Sequence, residues 1–340
     1  MCVHGTFAGA DLLGLLTETS RFAPKTSNRV RTLAKRLFDL VAGETGNYTQ
    51  KFCHRLSEGL SARLDTPLHA ERLNWSGQNN HVARADGAIQ LLAYLAQFAE
   101  QLDGNPPHTT RPPRVLLWGH SHGGNVFALA GQLLCANDEA RRVFFEAAQS
   151  FYAAAHGRCD QPHWRLVEAQ LRDRRHPVHS LPIDMVTFGT PIRYAWQIPS
   201  QTRLLHIVHH RPAEAARPSY LAPNPLHWWR SLWNADGDYV HQWGVAGTNL
   251  PPLPLAWRTF TAERRLQRLL EAELQSEFAW ARWRRGQRVH EGGVSLLVDY
   301  RDPSCGPLFG LAGHAVYTRS RWLPWHCEQI VEHLYEESPA

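Results

Sequence analysis

Ser121 stands in Gly119-His120-Ser121-His122-Gly123, with glycine two residues away on either side. The run before it, Val115-Leu116-Leu117-Trp118, is short, wholly apolar and preceded by Pro112-Pro113, the pattern of a central parallel strand. After it, Val126, Leu129, Ala130, Leu133 and Leu134 recur at helical spacing. A strand, a tight turn and a helix start would hold the serine hydroxyl clear of the sheet edge. The next backbone N–H would point at the same spot, near a helix N-terminus that favours developing negative charge. Such an arrangement suits nucleophilic attack on an acyl carbonyl. The pentapeptide alone is weak, because roughly one chain in ten of this length carries it by chance. The strand–turn–helix context gives it weight over a plain Gly-rich turn.

Acyl transfer also needs a base, an acid to orient it, and donors for the oxyanion. A base placed last in the chain is expected beyond the final strand, and His314 lies there in a Gly-flanked loop. His326 and His333 fall within a terminal helix and are poorer candidates. For the acid, Asp238 is the leading choice, because it opens an apolar-flanked stretch suited to docking beside the His314 loop. Asp236 and Glu214 are the alternatives, with Asp299 and Asp302 behind them, and an ordinary Asx turn at 236–238 competes with all of these readings. One oxyanion donor is the N–H of His122. Val3-His4-Gly5-Thr6 fits the second, with the N–H of Thr6 turned to the site.

The elements that must position these groups alternate. Strands are expected to end at Val3 and near Leu73-Asn74-Trp75, and to cover Val115–Trp118, 183–188, 204–208 and 294–300. Helices are expected over about 27–42, 82–101, 261–285 and 322–336, with the terminal one last. Alternating strands and helices imply a mainly parallel sheet covered on both faces, with ligands at the carboxyl ends of its strands. Residues 138–180 are polar and read as one or two surface helices. The whole chain, 1–340, reads as one domain, in which 138–180 and 211–290 are insertions or lid-like regions. Trp228, Trp229 and Trp233, bracketed by prolines, suit either a wall for a hydrophobic substrate or a satellite cluster under a long loop.

Composition narrows the class. The 340 residues are 43% hydrophobic with 13 Trp, ample for a sizeable core. No apolar run approaches the ~18–20 residues that span a bilayer, and no signal peptide is visible, so a cytoplasmic location is expected. Six scattered cysteines without a CxxC pair read as free thiols. The net charge of +5 invites a nucleic-acid reading, but the densest basic cluster, Arg282 to Arg288, ends a predicted helix, where cations complement the dipole. Transient contact with anionic lipid is its functional alternative. His206, His209 and His210 read as strand-end histidines, since no carboxylate accompanies them at ligand spacing. No metal or organic cofactor is expected.

His4-Gly5-Thr6-Phe7, Gly119-His120-Ser121-His122-Gly123-Gly124 and Phe188-Gly189-Thr190-Pro191 resemble the oxyanion strand, the nucleophile elbow and a following strand turn of bacterial lipases and esterases of the α/β-hydrolase superfamily. Trp75-Ser76-Gly77 with Asn79, His81 and Arg84 resembles a segment of a group of uncharacterised bacterial hydrolases. The resemblance implies an α/β-hydrolase fold and a serine hydrolase acting on carboxylic esters, with lipid or other hydrophobic acyl groups as substrates. Acyltransferase, phospholipase and thioesterase activities use the same machinery, and a non-catalytic scaffold binding a membrane or partner is the rival from another class. The pattern departs in one respect: the His-Gly strand is nearly first, so the N-terminal strands are missing or truncated relative to the family, or the true start lies upstream.

Overall fold

Short apolar runs form one parallel sheet. The computed structural model describes residues 1–6, 29–30, 32–36, 39–40, 43–104, 113–153, 161–173, 176–212, 218–223, 237–252, 256–272, 278–302 and 313–336. Among these, β1 (Cys2–Val3), β2 (Arg72–Leu73), β3 (Val115–His120), β4 (Ile183–Phe188), β5 (Arg203–His209) and β6 (Val294–Val298) lie in the order β2-β1-β3-β4-β5-β6. Every neighbouring pair is parallel.

Successive residues on a strand face opposite sides of the sheet, and both sides are buried. Val3, Leu117, Met185 and Leu204 join one core; Cys2, Trp118, Val186 and Leu205 join the other. The first core is closed by α2 (His81–Gly104) and α3 (His122–Cys135), through Leu92, Leu95, Phe127 and Leu129. The second is closed by α1 (Gln50–Leu64) and the terminal helix α9 (Leu323–Leu334), through Phe52, Leu56, Leu60, Cys327 and Ile330. Each such side chain contributes about 1.5–3 kcal/mol by leaving water. This is an α/β architecture, as the alternation of elements predicts.

The strand order reverses beside β1. From β1 the chain crosses to β2 on one side, and from β3 it crosses to β4 on the other. A crevice opens between carboxyl ends where such connections diverge, and here those ends carry His4-Gly5-Thr6 and Ser121.

One expectation needs detail and one needs correction. Residues 138–180 form two surface helices, α4 (Asp138–Tyr152) and α5 (Pro162–Arg172), each of which buries one face. Phe144, Phe145, Phe151, Tyr152 and Trp164 are buried in the first core. The polar and basic residues lie on the outer faces and mask an apolar stripe at helical spacing. Even Arg141 turns inward, donating to the carbonyls of Leu133 and Leu134 in the last turn of α3 at 2.9 and 2.8 Å, which would otherwise lack partners. The helix expected over 261–285 is two helices, α7 (Trp257–Leu270) and α8 (Ala279–Arg285), which follow α6 (Tyr239–Ala246). In α7, Leu266 packs in the first core, while no residue of α8 is buried.

Candidate active site

The elbow is a strained turn held from three sides. Ser121 follows β3 and precedes α3 with φ 54° and ψ −131°, a conformation shared in sign of φ by only one other non-glycine residue described, Asp65. Such backbone costs about 1–3 kcal/mol and persists only where its surroundings fix it. Here the Ser121 N–H donates to the Phe188 carbonyl at 2.8 Å, and the Ser121 carbonyl accepts from Gly124 N–H at 3.0 Å and Thr190 Oγ1 at 2.8 Å. Close approach explains the flanking glycine: a Cβ on Gly123 would lie 2.5 Å from the Val3 carbonyl oxygen.

The β1 loop passes over the serine. A Cβ on Gly5 would lie 2.7 Å from Ser121 Cβ, so only glycine lets the two chains meet. His4 anchors this loop. Its carbonyl accepts from Trp75 Nε1 at 2.8 Å, and its ring stacks on that indole. Burial first, and the charge of Lys35 second, push His4 down to about 3, so its ring is neutral. Thr6, half-buried, follows directly on Gly5. His122 begins α3, and its Nδ1 accepts from Asn125 Nδ2 at 3.0 Å, with the same amide reaching the Pro191 carbonyl at 3.1 Å. Its ring, well below the ordinary histidine range through burial and then the charge of Arg84, is also neutral.

His314 and Asp238, the leading base and acid candidates, lie against each other. His314 opens a 3₁₀ turn, His314–Thr318, and its Nδ1 donates to Asp238 Oδ2 at 2.7 Å. Asp238 is fully buried and caps α6, its Oδ1 accepting the His241 N–H at 2.8 Å. Its own N–H donates to the His209 carbonyl at 3.1 Å, which hangs the acid on the end of β5. Arg288, also fully buried, donates to the Asp238 carbonyl. Tyr317 donates its hydroxyl to Asp238 Oδ2 at 2.8 Å. Burial alone would raise the Asp238 carboxyl, but the hydrogen bond to His314 and the charge of Arg288 overcome it and hold the group well below the usual carboxylate range. The acid is ionised.

With Nδ1–H committed to Asp238, the free lone pair of His314 is on Nε2. That atom is buried and has no hydrogen-bond partner among the described residues, Ser121 Oγ included. The two halves touch through His120, whose ring lies 4.5 Å from that of His314 and whose Nε2 donates to the His314 carbonyl at 3.1 Å. His120 is neutral, pushed down to about 3 by burial and then by His314.

Of the other candidates, Asp299 binds Arg211 at 2.8 Å, and Asp302 binds Arg319 and Arg321 at 3.1 and 3.0 Å, so both are committed elsewhere. Asp236, Glu214, Trp228, Trp229 and Trp233 lie outside the described residues. Asn79 and His81 join Arg84 in a buried network: the Arg84 guanidinium donates to Tyr194 Oη, Asn79 Oδ1 and Asn249 Oδ1 at 2.8, 3.1 and 2.8 Å. Of the strand histidines, His206 pairs with Thr187 Oγ1 at 2.6 Å and His209 with the Val298 carbonyl at 3.0 Å. Among the described residues, no group of three or more His, Cys, Asp or Glu is placed to hold a metal. Cys2, Cys53, Cys135 and Cys327 are free, while Cys159 and Cys305 are not described. No described helix is long and apolar enough to cross a membrane.

Sequence reasoning missed Tyr317, Arg288 and the anchoring role of Trp75. Tyr317 carries a usable signal, its spacing of three from His314; Arg288 carries none.

The site belongs to an α/β protein with a strained serine at the carboxyl end of a central strand and a buried Asp–His pair beside it. Comparison with protein-family models, curated proteins and solved structures finds no match.

Proposed function

We propose that the protein is a serine hydrolase with the α/β-hydrolase arrangement, cleaving carboxylic esters, with lipid or other hydrophobic acyl esters as the substrate class. The observation that carries the reading is the pairing of a positive-φ serine at the sheet's topological switch with an ionised Asp238 that fixes the His314 tautomer. Ser121 Oγ gives its proton to His314 Nε2 and attacks the ester carbonyl carbon. The tetrahedral oxyanion is stabilised by the N–H groups of Thr6 and His122. Collapse breaks the C–O bond to the alcohol, which leaves with the proton from His314, and the acyl group stays on Ser121. Water then attacks the acyl-enzyme with His314 as base, releasing the acid and restoring the serine. Asp238 stays ionised throughout and stabilises the imidazolium. The Ser121–His314 hydrogen bond is not formed here, and such bonds are often long before substrate binds. Transfer to an alcohol or thiol acceptor, or cleavage of a phospholipid or thioester, uses the same groups, and acceptor competition separates these.

The test is labelling with a fluorophosphonate beside Ser121→Ala and His314→Ala. Wild type is expected to label, and both variants to lose labelling while keeping the fold; labelling that survives Ser121→Ala defeats the reading.

One observation favours a second reading, binding to a membrane or partner surface. Phe278 (87%), just before α8, and Trp280 (50%) of α8 are exposed, and Trp243 of α6 (49%) meets Trp283 of α8 edge to face, next to a basic stretch. Liposome binding by a protein that no fluorophosphonate labels would put this reading first.

A further inference from the structure

His314 and Tyr317 stand three residues apart on one 3₁₀ turn, where side chains at i and i+3 eclipse. Both reach the same atom. His314 Nδ1 and Tyr317 Oη each donate to Asp238 Oδ2, at 2.7 and 2.8 Å, with the two rings edge to face at 6.0 Å. The tyrosine is itself fixed, because its hydroxyl oxygen accepts the His209 N–H at 2.7 Å at the end of β5. Burial first and the Asp238 charge second hold the phenol well above its usual range, so it stays protonated and is a donor to the carboxylate at every working pH. The neighbouring strand turn leaves room for this clasp. Gly189 has φ +56°, and a Cβ there would lie 2.5 Å from Asp238 Oδ2 and strike the Tyr317 ring. That gives the Phe188-Gly189-Thr190-Pro191 turn a specific task.

We propose that Tyr317 is a positioning residue for the acid–base pair: anchored by the β5 backbone, its hydroxyl aims the Asp238 carboxylate at His314 and weakens that carboxylate as an acceptor for the imidazolium. The inference deepens the serine-hydrolase reading and rests on it for its kinetic part alone. The other groups facing His314 are His120 at the end of β3, His122 of α3 and His241 of α6, all held neutral by burial. The charges that bear on the pair are therefore those of Asp238 and of Arg288, which acts on Asp238. An oxygen already accepting from a phenol draws the imidazolium proton less strongly, so losing the phenol favours the protonated ring.

The experiment compares wild type with Tyr317→Phe in two ways: the rate of fluorophosphonate labelling against pH, and the ring titration of His314 by NMR, with His314→Ala identifying the resonance. In Tyr317→Phe both midpoints are expected to rise by roughly 0.5–1 pH unit, and the maximal labelling rate to fall several-fold. Replacing tyrosine by fluorotyrosine, a stronger donor of nearly the same size, is expected to move both midpoints down. A purely structural tyrosine would lower stability and leave both midpoints where they are in either protein, which overturns the proposal. If wild type labels at no pH, the hydrolase reading fails, and the NMR titration still decides the role of Tyr317. If Tyr317→Phe does not fold, the fluorotyrosine shift decides it.

Discussion

The two halves of the site are built by different means. On the side of the proposed nucleophile, Ser121 is held mainly by backbone: two backbone hydrogen bonds, to the Phe188 carbonyl and from the Gly124 N–H, a third from the Thr190 hydroxyl, and glycines at 5 and 123 where segments approach too closely for a Cβ. On the acid–base side, His314 and Asp238 are held by side chains: Asp238 Oδ1 on a helix N-terminus, Oδ2 between His314 and Tyr317, and Arg288 behind. Backbone geometry tolerates no change of residue but needs no particular side-chain chemistry. A side-chain network is easier to alter one atom at a time. The halves should therefore fail differently.

The largest effect short of losing the nucleophile belongs to the side-chain half. Asp238→Asn keeps the size of the residue and its capacity to cap α6, but removes the charge and lets His314 take the wrong tautomer. Turnover of a short-chain ester should fall on the order of 10⁴-fold, with near-native circular dichroism. Asp299→Asn, the same change at a half-exposed ion pair, should alter turnover less than about twofold and stability by no more than about 1 kcal/mol. Comparable losses in the two variants would mean that Asp238 has no special place.

Gly5→Ala probes the backbone half. The added methyl pushes the β1 loop off Ser121 and displaces the Thr6 N–H, so kcat should drop about 10²–10³-fold with KM nearly unchanged. Denaturant titration should find the fold intact, since the loop rather than the sheet moves. A pure KM effect would place Gly5 in substrate binding instead.

What the sequence discloses follows the same division. The elbow is legible because its motif is local: the strand, Ser121 and the glycines at 119, 123 and 124 fall within ten residues, and Gly5 sits beside a short strand. The acid–base pair is legible only in part. Asp238 and His314 are 76 residues apart, and Asp238 and Tyr317 are 79, so no spacing rule ties them; position after the last strand found His314, while Asp238 stood beside Asp236 and Glu214 as alternatives. Arg288 read as the end of a basic helix, because a fully buried guanidinium looks in sequence like any other arginine. The aromatic stripe of α4 was hidden for a related reason. Average polarity over a helix says nothing about which face is wet.

The smallest predicted effect separates the halves by pH. His4 and His120 beside the elbow are buried neutral, each pushed down to about 3, whereas an unfolded histidine titrates near 6.5. Between those values the unfolded chain binds more protons than the folded one, so the stability gained by keeping these rings neutral falls as pH drops below about 6.5. Each ring contributes about 1.4 kcal/mol per pH unit to that slope. Asp238 behaves oppositely in origin and later in pH: its folded carboxyl is depressed, so its stabilisation is complete above the unfolded value of about 3.9 and is lost only below it. Urea denaturation from pH 7 to 3 should therefore find His4→Gln flattening the slope by about one proton between pH 6 and 4. The contribution of the Asp238 carboxyl itself should enter only below about pH 4. A His4→Gln slope equal to wild type between pH 6 and 4 would mean that His4 is not held neutral in the fold, and that the Ser121 side depends on side-chain electrostatics as much as its partner does.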